Sequence, residues 1–290
     1  MKKAETTAGK KLIGHSGCPL VVLERDGRVV VRKISKSPAY NARLRRQCAK
    51  QREAAFSFFR TPAVLAEGME RGLYYFEMEY VNGISMAEYL ETQNLGEIPE
   101  IAALFANEIT ARRGEPEELK PLFDAKLASL KREIASLKPE PGLRAAARAA
   151  FALLDGFAWK GAYTGPCHGD MTLENIIVSR RGFYLIDHLD AFHESGLADL
   201  GKLLQDLELY WSYRNRKIDQ NTRIRCYLLK KELLRLVGER LGPGAAELAY
   251  HALLMNLLRI LPYARTAGVR RFVRDGLLKV MSIIEKGEFR

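Results

Sequence analysis

Apolar and β-branched runs, separated by turn signals, make up the N-terminal part of the chain. Residues 12–23 and 29–34 predict two strands, and the Asp26-Gly27 pair between them predicts a tight hairpin turn. A helix is predicted over residues 40–59 and a further strand over residues 73–81. These elements predict a small antiparallel sheet accompanied by one helix.

After Asn82-Gly83 the pattern becomes mainly helical, and this dipeptide is the predicted boundary between lobes of residues 1–82 and 83–290. One hairpin interrupts the helices, with strands around residues 176–178 and 183–186. The remaining stretches have helical propensity or leucine-rich patterns: residues 86–90, 98–138, 143–159, 197–211, 224–241, 246–261 and 269–284. We therefore predict an α+β protein with a small β lobe and a larger helical lobe.

The composition is that of an ordinary globular protein, since 47% of the 290 residues are hydrophobic and 28% are charged. No apolar run approaches the roughly 20 residues that a membrane-spanning helix requires, and the N-terminal residues lack a signal-peptide core. We therefore expect a cytoplasmic protein without a membrane span. The four cysteines are scattered and lack zinc-ligand spacing, so they are expected to be reduced.

The net charge of +11 is unevenly distributed. Residues 1–60 hold 15 Lys or Arg against 4 Asp or Glu, and residues 211–290 hold 17 against 7. The intervening residues 61–210 are acidic, with 14 against 24. Basic helices and strands usually present such charges to solvent, and the chain has no aromatic-interleaved basic stripe. Nucleic-acid binding is therefore disfavoured.

The segment that carries the chemistry begins at His168-Gly169-Asp170. Asn175 lies five positions after Asp170, and a hydrophobic hairpin then leads to Asp187. This spacing is typical of phosphoryl transfer from ATP, in which one carboxylate takes the acceptor hydroxyl and two oxygen ligands hold Mg²⁺. Asp170 is thus the predicted catalytic residue with His168 shaping its loop, and Asn175 and Asp187 are the predicted metal ligands. The absence of a Walker sequence excludes a P-loop enzyme.

Residues 168–206 resemble the aminoglycoside phosphotransferase and choline kinase superfamily, the small-molecule branch of the protein-kinase-like fold. Beyond the motif just described, residues 196–201 resemble that family's Asp-Leu element, in which Asp199 supports the loop structure. The resemblance implies a protein-kinase-like bilobal fold, with an N-terminal nucleotide-binding lobe and a C-terminal lobe for catalysis and acceptor binding. ATP and Mg²⁺ are the implied cofactors.

The resemblance also assigns residues of the N-terminal lobe to the nucleotide. Lys33, at the end of a β-branched strand, is expected to contact the α- and β-phosphates, and Glu53 in the following helix is expected to pair with it. Residues 79–81 resemble the hinge that binds adenine, and residues 14–17 form a short glycine loop. These two segments add four residues to the predicted nucleotide site: Glu79, Val81, Ser16 and Gly17.

The acceptor is expected to bind through residues 85–140 and 200–290 of the helical lobe. The second segment is basic and aromatic, with arginines at Arg259, Arg265, Arg270, Arg271 and Arg274. Guanidinium groups suit an acceptor that bears phosphate or carboxylate better than a polycationic aminoglycoside. A resemblance of residues 33–51 to phosphotransferase-like proteins of bacterial surface-polysaccharide synthesis indicates a sugar or sugar-derived hydroxyl.

The predicted function is transfer of the γ-phosphate of ATP to a hydroxyl of a small molecule, such as a sugar, an amino-alcohol metabolite or a surface-polysaccharide precursor. A protein kinase is an alternative, disfavoured because no Ala-Pro-Glu element follows Asp187. A nucleotide-binding pseudokinase or regulatory scaffold is another, disfavoured because Asp170, Asn175 and Asp187 are all present.

Overall fold

The N-terminal strands form a five-stranded antiparallel sheet in the computed structural model, which describes residues 11–12, 17–111 and 113–289. The strands are β1 (Lys11–Leu12), β2 (Leu20–Arg25), β3 (Arg28–Ile34), β4 (Val64–Glu70) and β5 (Leu73–Glu79), in the order β1-β2-β3-β5-β4. Two-residue turns close two of the hairpins, at Asp26-Gly27 and at Arg71-Gly72. All four turn residues have positive φ, which is the backbone geometry that matches the twist of paired strands.

Helix α1 (Asn41–Glu53) packs against this sheet. Leu44 and Cys48 on the helix are fully buried in a cluster that includes Phe76 of β5. Asn41 fixes the start of the helix, since its side-chain oxygen accepts a hydrogen bond from the backbone N–H of Tyr74 at 2.9 Å. The core of this part of the chain is therefore the layer between α1 and the sheet.

A second, three-stranded sheet contains β6 (Ile84–Ser85), β7 (Ile176–Ser179) and β8 (Gly182–Leu185), in the order β6-β7-β8. The loop after α1 adds to this sheet through Arg60. The N–H of Arg60 donates to the Phe183 carbonyl and its carbonyl accepts from Leu185 N, both at 2.8 Å. The chain must leave the helix to reach β8, so α1 ends at Glu53 and the prediction that it continues to residue 59 is wrong.

The chain divides into two units. The first takes residues up to Ser85 together with Asn175–Asp190, so β7 and β8 belong to it. The second takes Met86–Glu174 and the chain from Ala191 onward. The first unit therefore includes a segment that follows His168 and Asp170 in the sequence, although these two residues belong to the second unit.

The second unit is helical. Its helices are α2 (Met86–Thr92), α3 (Ile98–Ala111), α4 (Lys120–Ser136), α5 (Pro141–Asp155), α6 (Gly196–Leu207), α7 (Gln220–Leu241), α8 (Gly244–Ile260) and α9 (Ala267–Lys286). Helix α8 is buried along most of its length and packs against α6 and α9, so it forms the centre of this unit. The antiparallel N-terminal sheet and the helical remainder confirm the predicted α+β class. Within the residues that the structure describes, no helix combines the length and the apolarity needed to cross a bilayer.

A buried carboxylate at the end of α6 joins two loops of the second unit. Asp206 is 0% exposed. Its Oδ2 accepts a hydrogen bond from Leu173 N at 2.7 Å, and its Oδ1 accepts one from Ser212 N at 2.6 Å. Burial raises the pKa of Asp206 to about 6, although these two donors pull the pKa down. Asp206 therefore holds the loop that follows Asp170 against the turn that follows α6.

Substitution of Asp206 by Asn should change how stability depends on pH. An unfolded aspartate releases its proton near pH 4, whereas folded Asp206 releases it near pH 6. The folded protein thus binds more protons in this window, and its stability falls as the pH rises from about 4 to about 6. We expect this loss, on the order of 3 kcal/mol, in the wild type and not in Asp206→Asn.

The measurement is urea unfolding between pH 4 and 6.5, followed by fluorescence of the two tryptophans, Trp159 and Trp211, which both lie in the second unit. Asp219→Asn is the matched control. Asp219 is an exposed cap of α7 whose pKa is lowered by hydrogen bonds from Thr222 N and others, so its own effect is confined to lower pH. Parallel profiles for the wild type and Asp206→Asn would contradict the prediction.

Candidate active site

The loop that contains the His-Gly-Asp motif is anchored by a carboxylate of α6. Asp199 is buried in the first turn of that helix, where Ser195 is the N-cap residue. Its two oxygens accept hydrogen bonds from His168 N at 2.6 Å and from Gly169 N at 2.8 Å. Gly169 has a φ of 88°, a conformation that a side chain would strain. Through these contacts Asp199 supports the loop, which is the role that the family resemblance implies for it.

Asp170 follows directly and presents a partly exposed carboxylate. Its side chain is 23% exposed, and its Oδ1 lies 3.0 Å from Nζ of Lys202 on α6. Burial alone would raise the pKa of Asp170, but the charge and hydrogen bond of Lys202, together with the charge of Arg259, outweigh burial and hold the pKa below its ordinary value. The carboxylate is therefore ionised at neutral pH and able to accept a hydrogen bond from a hydroxyl group.

Lys202 was not singled out from the sequence. Its position could have been inferred, because it lies three residues after Asp199 and so projects from the same side of α6. Because Asp199 binds the backbone of the loop, Lys202 on the same side of α6 also lies next to the loop. The resulting ion pair gives the predicted catalytic carboxylate a fixed counter-ion within the second unit.

The predicted phosphate-binding lysine lies in the first unit. Lys33 on β3 is buried, and its Nζ contacts Oδ1 of Asp187 and lies 3.3 Å from Oε1 of Gln47. The predicted pairing of Lys33 with Glu53 is not what the structure has. Gln47 is the residue of α1 that contacts Lys33, whereas Glu53 is the last residue of the helix and is exposed.

Asn175 and Asp187 flank the β7–β8 hairpin of the first unit. Ile186 N donates to the Asn175 carbonyl at 3.0 Å, so Asn175 lies opposite the residue that precedes Asp187. Asn175 is buried, and Asp187 has a φ of 60° in the left-handed region. An amide oxygen and a carboxylate oxygen are the donors that Mg²⁺ prefers, and Mg²⁺ usually takes few protein ligands. In the described part of the chain, no group of three or more His, Cys, Asp or Glu side chains is placed to hold a metal ion.

The predicted hinge lies at the end of β5. The side chain of Glu79 accepts a hydrogen bond from Nη2 of Arg181 at 2.5 Å, and Glu79 N donates to the Ala63 carbonyl. Val81 follows in the short connection to β6 and is partly buried. The carboxylate of Glu79 is thus paired with Arg181, and the backbone groups of this segment are the ones that the predicted hinge would offer to a nucleotide base.

Two nucleotide-site predictions remain, Gly17 and Ser16. Gly17 is exposed and has a φ of 73°. Ser16, predicted with it, lies outside the described residues.

A pocket of the second unit opens beside Gly169. Phe123, Phe192 and Met255 supply apolar lining, and Lys202, Asn256, His193 and Arg259 supply polar lining. Of the arginines that the sequence marks as basic surface, Arg259 lines this pocket. Arg270 instead donates to the Ala264 and Arg265 carbonyls, and Arg274 pairs with Asp275 at the surface.

Several solved structures share this fold at low sequence identity. One is a thermostable mutant of aminoglycoside phosphotransferase APH(4)-Ia in a ternary complex with ADP and hygromycin B, with a TM-score of 0.67, 14% identity, and coverage of 96% of this chain and 93% of that chain. Another is a putative fructosamine-3-kinase from Thermobifida fusca, with a TM-score of 0.64, 15% identity, and coverage of 94% and 93%.

A third is a choline/ethanolamine kinase family protein from Mesorhizobium loti, with a TM-score of 0.54, 15% identity, and coverage of 98% of this chain and 90% of that chain. These likenesses confirm the protein-kinase-like fold. No curated protein matches the chain. A family model described as the phosphotransferase enzyme family matches residues 20–225, which is more than half of the sequence. The chain therefore belongs to the phosphotransferase enzyme family, as its resemblance to aminoglycoside phosphotransferases and choline kinases implied.

Proposed function

We propose that this phosphotransferase moves the γ-phosphate of ATP to a hydroxyl group of a small molecule, with Asp170 as the residue that receives the hydroxyl. The observation that carries the proposal is the ionised, partly exposed carboxylate of Asp170, on a loop whose backbone is fixed by buried Asp199. Phosphoryl transfer depends mainly on positioning and on electrostatic stabilisation, and this loop supplies positioning.

The residues proposed to bind the phosphate donor lie in the first unit. Lys33 supplies a buried cation for the α- and β-phosphates, and its contacts with Gln47 and Asp187 support that role. Asn175 and Asp187 would hold Mg²⁺, which neutralises phosphate charge when bound. Backbone groups around Glu79 and Val81 are proposed to receive the adenine, and Gly17 with Ser16 to lie near the phosphates.

Asp170 orients the acceptor in the proposed reaction. Its lowered pKa makes it a weak base, so it accepts a hydrogen bond from the hydroxyl and takes the proton only as the bond to phosphorus develops. His168 positions Asp170, since the two are joined through the loop that Asp199 holds and Asp170 N donates to Nδ1 of His168 at 3.3 Å. Lys202 keeps the carboxylate in place.

A sugar or amino-alcohol metabolite is the proposed acceptor class, with surface-polysaccharide precursors among the candidates. Support comes from relatives of the same fold, one of which was solved with ADP and hygromycin B, while others are described as a fructosamine-3-kinase and a choline/ethanolamine kinase. Use of ATP, together with helices that do not span a bilayer in the described residues, supports a cytoplasmic location.

Replacement of Asp170 by Asn should remove turnover and spare nucleotide binding. We expect kcat to fall by about 100-fold or more, with the dissociation constant of Mg-ATP within a few-fold of the wild type. Release of ADP is measured with Mg²⁺ present and absent, over a screen of sugars, sugar phosphates and amino alcohols.

The control variant is Asp155→Asn, because Asp155 is also a carboxylate paired with a lysine, Lys131, but lies at the surface of the second unit. A wild-type rate in Asp170→Asn would refute the assigned role. A protein that binds Mg-ATP firmly yet turns over nothing in the screen would instead favour the pseudokinase.

Replacement of Asp187 by Asn should weaken binding of Mg-ATP. A ligand at about 100 times its dissociation constant stabilises a protein by about 2.7 kcal/mol, and we expect most of that stabilisation to be lost. Thermal unfolding with and without Mg-ATP measures the effect. Asp190→Asn is the control, since Asp190 follows on the same segment and pairs with Arg46 at 2.9 Å. Normal stabilisation of Asp187→Asn by Mg-ATP would count against a ligand role.

A further inference from the structure

The charge of the pocket beside Gly169 distinguishes between classes of acceptor. Lys202 and Arg259 are the cations that line the pocket, and no Asp or Glu is among its described lining residues. The neighbouring carboxylate of Asp170 is already paired with Lys202 at 3.0 Å. Two cations, Lys202 and Arg259, thus line this pocket beside the carboxylate of Asp170.

Arg259 is held in a defined orientation. Its Nη1 donates to Oδ1 of Asn256 at 3.0 Å, and its guanidinium carbon lies 5.2 Å from the ring centroid of Phe192. Asn256 lies three residues earlier on α8, so both side chains project from the same side of the helix. A guanidinium that rests on an aromatic ring and is fixed by an amide is preorganised for bidentate binding of a carboxylate or a phosphate.

A third cation reaches the same aromatic ring. Nζ of Lys126, on α4, lies 5.9 Å from the centroid of Phe192. The face of an aromatic ring attracts cations, and this attraction offsets part of the repulsion between Lys126 and Arg259. Arg259 also acts on Asp170 from a distance, because its charge is one of those that lower the pKa of that carboxylate. Beside Arg259, the charge of the guanidinium attracts an anion and repels an ammonium group.

We infer that the acceptor carries a carboxylate or a phosphate in addition to its reacting hydroxyl, and that Arg259 binds this anionic group. The inference rests on the proposed function and narrows it, because it favours sugar acids and sugar phosphates over amino alcohols. Arg259 sets specificity in this scheme, whereas Asp170 and Lys202 serve the reacting hydroxyl.

The experiment compares acceptors that differ at one substituent. D-Galactose, D-galactosamine, D-galacturonate and D-galactose 6-phosphate form one set; glycerol, ethanolamine, glycerate and glycerol 3-phosphate form a second. Acceptor-dependent ADP release gives kcat and KM for each. We expect the lowest KM for the carboxylate or the phosphate members, and the two anions within each set identify which of these groups is bound.

Arg259→Gln should raise KM for the anionic acceptors by about tenfold or more, while KM for ATP and KM for the neutral acceptors stay unchanged. Arg259→Lys keeps the charge without the planar fork and should fall between the wild type and Arg259→Gln. Arg271→Gln is the matched control, because Arg271 is exposed on α9 and does not line the pocket.

A preference for galactosamine or ethanolamine would overturn the inference, and so would an equal effect of Arg259→Gln on every acceptor. If no acceptor is turned over, galacturonate and galactose 6-phosphate are titrated calorimetrically onto the protein with Mg-AMP-PNP bound. Absence of binding, or binding that Arg259→Gln leaves unchanged, then overturns it. Failure of the proposed function is a distinct result: the wild type would bind no Mg-ATP, or would bind it and turn over no acceptor, and in the second case the calorimetric titration still tests the role of Arg259.

Discussion

The structure of the second unit depends on the side of α6 that carries Asp199, Lys202 and Asp206. These residues are three and then four positions apart, so they lie along one face of the helix. Asp199 binds backbone N–H groups at the start of the motif loop, Lys202 binds the carboxylate of Asp170, and Asp206 binds a backbone N–H farther on. One rigid element thus fixes three points of the loop, and the packing of α6 on α8 determines where the loop lies.

Each unit contains one of the carboxylates proposed to act in phosphoryl transfer, and each of these carboxylates pairs with a lysine: Asp187 with Lys33, and Asp170 with Lys202. A paired carboxylate stays ionised when water is partly excluded, because the neighbouring cation offsets the cost of burial. In the second unit, the charge of Lys202 thus helps to hold the pKa of Asp170 below its ordinary value.

The features that sequence reasoning predicts well are local ones. The Asp26-Gly27 turn and the order of strands around it follow from residue type, and the spacing of Asp170, Asn175 and Asp187 follows from the chemistry. Features set by distant partners were missed. The early end of α1 depends on the pairing of Arg60 with β8, and the choice of Gln47 over Glu53 depends on the rotation of α1 above the sheet.

The backbone pairing of Arg60 with β8 also bears on how substrate specificity can evolve. It helps to keep the hairpin that carries Asn175 and Asp187 within the first unit, although the motif is continuous in sequence with Asp170. The proposed metal ligands and nucleotide contacts are therefore encoded in one unit, and the residues proposed to bind the acceptor in the other. Substitutions in α4 or α8 would then alter the residues proposed for the acceptor and leave those proposed for the nucleotide unchanged.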